Sequence, residues 1–247
     1  MNNLPPLQSS QLAGTRDYLR DIALSFGSLQ RAFLPQHPRL WQYGLEVTMR
    51  GFCTQAFVAN GGEQRVLADL VKLKVRLDGE RWLLSDLDGP LLFEKLQTWA
   101  GVDLEEPKFS GSAEFSQEQA VAYAAALWWL DEQFRKLKDQ ITDGVTSPIL
   151  LYPHHFDLAM SWFPYDDDRQ LTIGWSTGDE NIAEPYVYLT AYPEPAAFKR
   201  TELSAGAVWQ SQGFSGALLL YAELQKSTNP AKLFGQFAEL FKCNPWE

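Results

Sequence analysis

The sequence predicts an α+β fold: two helix–antiparallel meander–helix halves, with long helices packed on antiparallel sheets. Three observations predict it. Two long segments carry apolar residues at alternating steps of three and four, the spacing of one helical stripe. Strands come in runs joined by short turn signals, which disfavours parallel βαβ winding. Each run of strands also lies between a long helix and a shorter one. The halves fall at 1–100 and 116–247 and are read as parts of one compact unit, with 101–115 as the connecting segment.

In the first half, Leu12, Thr15, Leu19, Ile22, Phe26, Leu29 and Phe33 mark a helix over Gln11 to Leu34. Ser9 or Ser10 is a capping residue and Pro35 is the stop. Tyr43, Leu45, Val47 and Met49 then alternate with Gly44, Glu46, Thr48 and Arg50 as a strand. Asn60-Gly61-Gly62 is a hairpin signal. Val71, Leu73, Val75 and Leu77 alternate with Lys72, Lys74 and Arg76 as a half-buried strand, and Asp78-Gly79 turns it into Arg81 to Ser85. Pro90 to Ala100 reads as a short helix closed by Gly101. The stretch Gly101 to Phe115 loses periodicity and gains Pro, Gly and Ser, the marks of a joint.

The second half opens on Ser116-Gln117-Glu118-Gln119, which has capping-box spacing. Ala120, Tyr123, Leu127, Leu130, Phe134, Leu137 and Ile141 form its helical stripe, and Gly144 ends it. Strands fit Ile149 to Phe163, Gln170 to Trp175, Tyr186 to Tyr192, Ala207 to Gln210 and Gly216 to Tyr221. Asn229-Pro230 opens a last helix through Phe241. Leu40 to Phe52 lies over Leu151 to Phe163 with Leu, Met and Phe repeated, a pattern of internal pseudo-symmetry. Two amphipathic strands also produce such a likeness by pattern alone.

Composition narrows the function classes. Hydrophobic residues are 45% and aromatic residues 13%, which suits a folded core rather than a disordered chain. Lys and Arg total 21 against 31 Asp and Glu, a formal charge of −10. Nucleic-acid phosphates and anionic membranes repel such a chain, and no basic patch overrules the balance; Lys72, Lys74 and Arg76 read as the wet face of one strand. The two cysteines, Cys53 and Cys243, give no CxxC and no disulfide framework, so they are expected as free thiols in a reducing compartment. Met1 to Ser10 lacks the charge and apolar run of a secretory leader, and Ala120 to Leu130 is too short to span a bilayer. A cytoplasmic location is expected. Oligomeric state is not readable.

Gly44-Leu45-Glu46-Val47-Thr48-Met49-Arg50-Gly51, Ser147-Pro148, Phe156-Asp157-Leu158-Ala159, Ala191-Tyr192-Pro193-Glu194-Pro195 and the closing Pro230 to Phe241 helix occur in this order. In them the chain resembles a family of uncharacterised bacterial proteins, domain of unknown function 5996, from about Thr15 to Phe241. The resemblance implies no activity. The chain departs from the family pattern where His154-His155 replaces a small residue before Phe156, and in the stretch before Tyr192-Pro193. Any role of these histidines is therefore private to this chain.

Candidate chemistry gathers on two strand faces. Glu46, Thr48 and Arg50 share one face of the first; His155, Asp157 and Ser161 share one face of the second. Converging, they supply two carboxylates, an Arg and a His for acid/base work or for clamping a polar ligand. Solvated polar faces, or an ion pair from Arg50 to Glu46 or Asp157 that only fixes register, explain the same residues. His154 and His155 point to opposite faces of a regular strand, so no metal site is expected, and His37 reads as a loop residue. Asp166-Asp167-Asp168 lacks calcium-loop spacing. Gly174-Trp175-Ser176-Thr177-Gly178 matches a nucleophile elbow, but no helix fits after it and no His follows it. Tyr186, Tyr188 and Tyr192 offer aromatic faces for a ligand or for each other. No nucleotide or other cofactor motif is present. The leading expectation is a protein that binds a polar small molecule, with or without catalysis, at a site formed by Glu46, Thr48, Arg50, His155 and Asp157 between the halves. An interaction scaffold without a ligand is the alternative. A serine hydrolase using Ser176 with His155 and Asp157 is the weaker one.

Overall fold

The structure is a computed structural model that describes residues 4–112, 114–195, 198, 202–203 and 206–246. Residues 1–3 of the segment read for a leader, and the Ser9 side chain read as a cap, lie outside the described residues. The described residues form five α-helices and three antiparallel sheets, so the fold is α+β. They divide into two compact units. One comprises 10–128 and 150–156; the other comprises the described residues of 1–9, 129–149 and 157–247.

The first unit is organised by α1 (Ser9–Phe33), whose Leu19, Ile22, Phe26 and Leu29 are fully buried. Burying a side chain of this size contributes about 1.5–3 kcal/mol. Gln30, also fully buried on α1, has its amide satisfied on both ends. Its Nε2 donates to the carbonyls of Gln42 (2.8 Å) and Gly44 (2.9 Å), and its Oε1 accepts from the Gln55 N–H (2.9 Å). A buried amide left unpaired costs about 1–3 kcal/mol, so this residue fixes where the chain leaves a short 3₁₀ turn at Trp41–Tyr43.

Strands β1 (Glu46–Thr48), β2 (Gly51–Cys53), β5 (Leu67–Asp69), β6 (Lys74–Leu77) and β7 (Glu80–Leu83) follow in sheet order β1-β2-β5-β6-β7. The hairpin of β3 (Phe57–Ala59) and β4 (Gly62–Gln64) stands apart. Asn60 (φ 49°) with Gly61 (φ 81°), and Asp78 (φ 45°) with Gly79 (φ 85°), take the paired left-handed conformations that two-residue hairpins demand. Two of the expected strands are shorter than their alternation suggests. Tyr43 to Arg50 is a 3₁₀ turn, three strand residues and then a turn at Met49–Arg50, because Thr48 already pairs with Gly51; Met49 is 70% exposed. The strand expected from Val71 begins only at Lys74, and Lys72 belongs to a turn held by its N–H on Asp69 Oδ1 (2.8 Å).

Asp88 caps α2 (Gly89–Ala100) by accepting from the Leu91 N–H at 2.8 Å, and Gly101, at φ 65°, ends it. In the connecting segment Ser110 and Gly111 are fastened to α1. Asp21, 1% exposed, accepts from the Ser110 N–H, the Ser110 hydroxyl and the Gly111 N–H. Ser116 receives the Gln119 N–H at the start of α3 (Gln117–Lys138), as its capping spacing predicts. Phe26, Phe52, Phe156 and Tyr123 make a continuous aromatic run, ending in a stack of Phe156 on Tyr123 at 5.2 Å.

Beyond α3 come β8 (Val145–Thr146), β9 (Leu150–Tyr152), β10 (Asp157–Phe163), β11 (Gln170–Ser176), β12 (Tyr186–Tyr192), β13 (Ala207–Gln210), β14 (Gly216–Leu220), α4 (Tyr221–Lys226) and α5 (Pro230–Lys242). The strand expected over Ile149 to Phe163 is interrupted by a turn at 153–156. The segments aligned as a repeat thus take different local forms. The second unit's sheet runs β13-β14-β12-β11-β10-β8. Leu158, Met160, Trp162, Leu171, Ile173 and Trp175 fill one face of it, where Trp175 meets Tyr221 and Trp162 meets Phe241.

Three buried phenols make stability fall in alkali. Burial raises Tyr18, Tyr186 and Tyr221 well above the ordinary phenol value of 10; charge from Asp88 and Asp86 adds to the effect at Tyr18. The folded chain keeps these protons where the unfolded chain loses them, so stability is full below pH 10 and declines as pH rises above it. Denaturant unfolding between pH 9 and 11.5 should show this decline. Tyr221→Phe should make it shallower by up to about 1.4 kcal/mol per pH unit. An unchanged slope in that variant would mean the Tyr221 phenol does not stay protonated in the fold.

Candidate functional site

Side chains on a strand alternate between faces, and residues opposite each other on neighbouring strands share a face. In the first unit this places Glu46, Cys53, Leu67, Arg76 and Arg81 in one row across all five strands, on the face opposite Phe52, Ala68 and Val75. A second row on the same face holds Thr48, Gly51, Asp69, Lys74 and Leu83. Glu46 forms an ion pair with Arg65. That hydrogen bond raises the guanidinium further, while burial first, and then Glu46, raise the Cys53 thiol.

Arg50 lies in the β1–β2 turn, and its Nη1 is 3.1 Å from Oδ2 of Asp69, which is fully buried. The Thr48 hydroxyl accepts from the Arg50 N–H at 3.3 Å. Glu46 and Arg50 therefore have separate partners rather than each other. His155 is exposed in the turn before β10. The carbonyl of His154 accepts from Arg20 Nε at 3.0 Å. Partial burial, then electrostatic repulsion from Arg31, His155 and Arg20, holds the His154 imidazole below its ordinary value. His37 is a loop residue stacked on Trp41 at 4.0 Å.

In the second unit Asp157, Ser176 and Tyr186 lie opposite one another on β10, β11 and β12. All three are less than a tenth exposed. The Tyr188 hydroxyl donates to Asp157 Oδ2, and the Tyr186 hydroxyl donates to Asp179 Oδ2 at 3.0 Å. Burial chiefly raises the Tyr186 phenol; Ser176 offsets part of this, and Asp179 and Asp157 add to it. Phe214 stacks on Tyr186 at 5.9 Å and meets Tyr188 edge-on at 6.0 Å. Away from this buried end the face carries Ser161, Thr172, Thr190 and finally Tyr192, 63% exposed.

The glycine-serine motif has a structural basis here. Ser176 ends β11, its hydroxyl accepts from the Gly178 N–H at 3.1 Å, and the chain returns as β12 without a helix. All three histidines belong to the other unit. Gly174 faces Tyr188 directly, and a Cβ there would overlap the phenol ring. The motif thus makes room for Tyr188 to reach Asp157. The Asp-rich loop is engaged by its neighbour: Asp167 accepts from the Arg169 side chain, which lies over Tyr165 at 3.7 Å. Among the described residues no group of three His, Cys, Asp or Glu is placed to hold a metal, and no helix is long and apolar enough to cross a membrane. Sequence reasoning named Asp157 but missed Tyr188 as its partner. The alternation of Tyr186 and Tyr188 was the available signal; the diagonal reach past Gly174 needed the register.

Gly174→Ala should cost about 1–3 kcal/mol in denaturant unfolding, through the overlap with Tyr188. In a Tyr188→Ala background most of that cost should vanish. An equal cost in both backgrounds would place the strain elsewhere.

No curated protein and no solved structure matches the chain. A family model does match, over residues 165–241, a span that holds Ser176, Tyr186, Tyr188 and Phe214 and excludes Asp157, Glu46 and Arg50. That model is of a family of unknown function, DUF5996, the family of the sequence resemblance, and it matches the C-terminal part of the stretch from about Thr15 to Phe241 over which the resemblance was read.

Proposed function

We propose that the chain binds a polar small molecule bearing hydroxyl or ammonium donors, at the Asp157 end of the polar face of the β10–β11–β12 sheet. The observation that carries this reading is the in-register group of Asp157, Ser176 and Tyr186, joined by Tyr188. It supplies a carboxylate, a serine hydroxyl and two phenols at the buried end of a face whose other end is open. Buried carboxylates and phenols strengthen hydrogen bonds to a ligand because the surroundings screen them weakly. Tyr186, Tyr188 and Phe214 add aromatic surface suited to a sugar-like ring or an ammonium group. The expected site of Glu46, Thr48, Arg50, His155 and Asp157 is thereby narrowed to its Asp157 part. Catalysis is no part of the proposal.

A thermal-shift panel of free hexoses, linear polyols and short alkylamines tests it. At least one compound should raise the melting temperature of the wild type and fail to do so for Asp157→Asn. A panel without any shift, or a shift retained in both Asp157→Asn and Tyr188→Phe, overturns the proposal.

A further inference from the structure

Arg76 and Arg81 are direct partners in the β6–β7 ladder. Like charges placed opposite each other on one face of a sheet destabilise it. Among the described residues neither guanidinium has an ion-pair partner. With Arg65 they line a groove of about 240 Å³ whose floor includes Leu67, the residue between Cys53 and Arg76 in the cross-strand row. Asp78 and Glu80 line the turn end of the same groove. Arg65 is held by Glu46. Three arginines from three different segments thus converge in a chain whose formal charge is −10. Single-strand spacing showed only Lys72, Lys74 and Arg76, whereas the register and the groove bring Arg65 and Arg81 beside Arg76.

We infer that this groove is an anion site for a small phosphate-bearing molecule. A guanidinium presents a planar fork of donors that matches two oxygens of a phosphate. Two such forks facing each other satisfy more oxygens than one, and the bound anion removes the repulsion that the empty ladder carries. Leu67 and the methylene stems of the arginines offer apolar contact to the organic part of such a molecule. Asp78 and Glu80 limit the site to ligands whose charge is concentrated at the arginine end. The inference is independent of the ligand proposed at Asp157, which lies on another sheet.

The test uses pyrophosphate as the probe, with chloride at matched ionic strength as the control, on the full chain. Calorimetric titration should give saturable binding to the wild type, at least tenfold weaker for Arg76→Gln/Arg81→Gln, and unchanged for Asp157→Asn. Without added anion, Arg81→Gln should melt above the wild type, because one of two opposed charges is gone. Added pyrophosphate should raise the melting temperature of the wild type and leave that of the double variant unmoved. No saturable binding beyond the chloride control, or equal binding by the double variant, overturns the inference. An Arg81→Gln chain that melts below the wild type contradicts the repulsion on which it rests.

Discussion

Both proposed sites depend on one constraint: the two-residue period of an antiparallel strand, locked in register by a buried apolar face. Phe52, Ala68 and Val75 bury one face of the first sheet; Leu158, Ile173, Trp175 and Val187 bury one face of the second. A slip of one residue would turn these side chains to the opposite face and bring the arginines and Asp157 onto the apolar one. The core therefore dictates which polar groups meet. Asp157 opposes Ser176, and Arg76 opposes Arg81, as a consequence of where the apolar residues must go.

The polar groups so assembled are of two chemical kinds. On the second unit's sheet they are acceptors and phenols, hydrogen-bonded, with the buried Asp157 fixed by Tyr188 and the buried Tyr186 fixed by Asp179. On the first unit's sheet they are mostly cations at the surface, with Glu46 engaging Arg65 and the buried Asp69 engaging Arg50. A buried carboxylate near an aromatic cluster suits donors; guanidiniums from opposed ladder positions suit phosphate oxygens. Ser176 receives the Gly178 N–H in a strand-to-loop turn.

Much of the fold was legible because local chemistry and tertiary need agree. Gln170 to Trp175, Tyr186 to Tyr192 and Pro230 onward form the elements their patterns predict, and Asn60-Gly61 and Asp78-Gly79 turn as their φ preferences require. The misread segments have a common cause: alternation continues through a turn. Tyr43 to Arg50 alternates without a break, yet the chain reverses at Met49–Arg50, which carries no Asn-Gly signal. The same happens at 71–73 before β6 and at 153–156 before β10. The short helix α4 was missed because Tyr221 prolongs the apolar run of β14 and no side-chain cap announces the helix.

The proposed sites were legible only one strand at a time. Asp157 and Glu46 stood out as carboxylates on polar faces, but their partners Tyr188 and Arg65 are 31 and 19 residues away. Arg65, Arg76 and Arg81 come from three segments, so no window along the sequence contains them as a face. Register is the missing information, and it can be measured directly. Cross-strand NOEs in a labelled sample should connect Arg76 with Arg81 and Asp157 with Ser176. Contacts from Arg76 to Arg81 and from Asp157 to Ser176 would establish the faces on which both proposed sites are built. NOEs displaced by one residue in either sheet would put these groups on opposite faces and contradict the account.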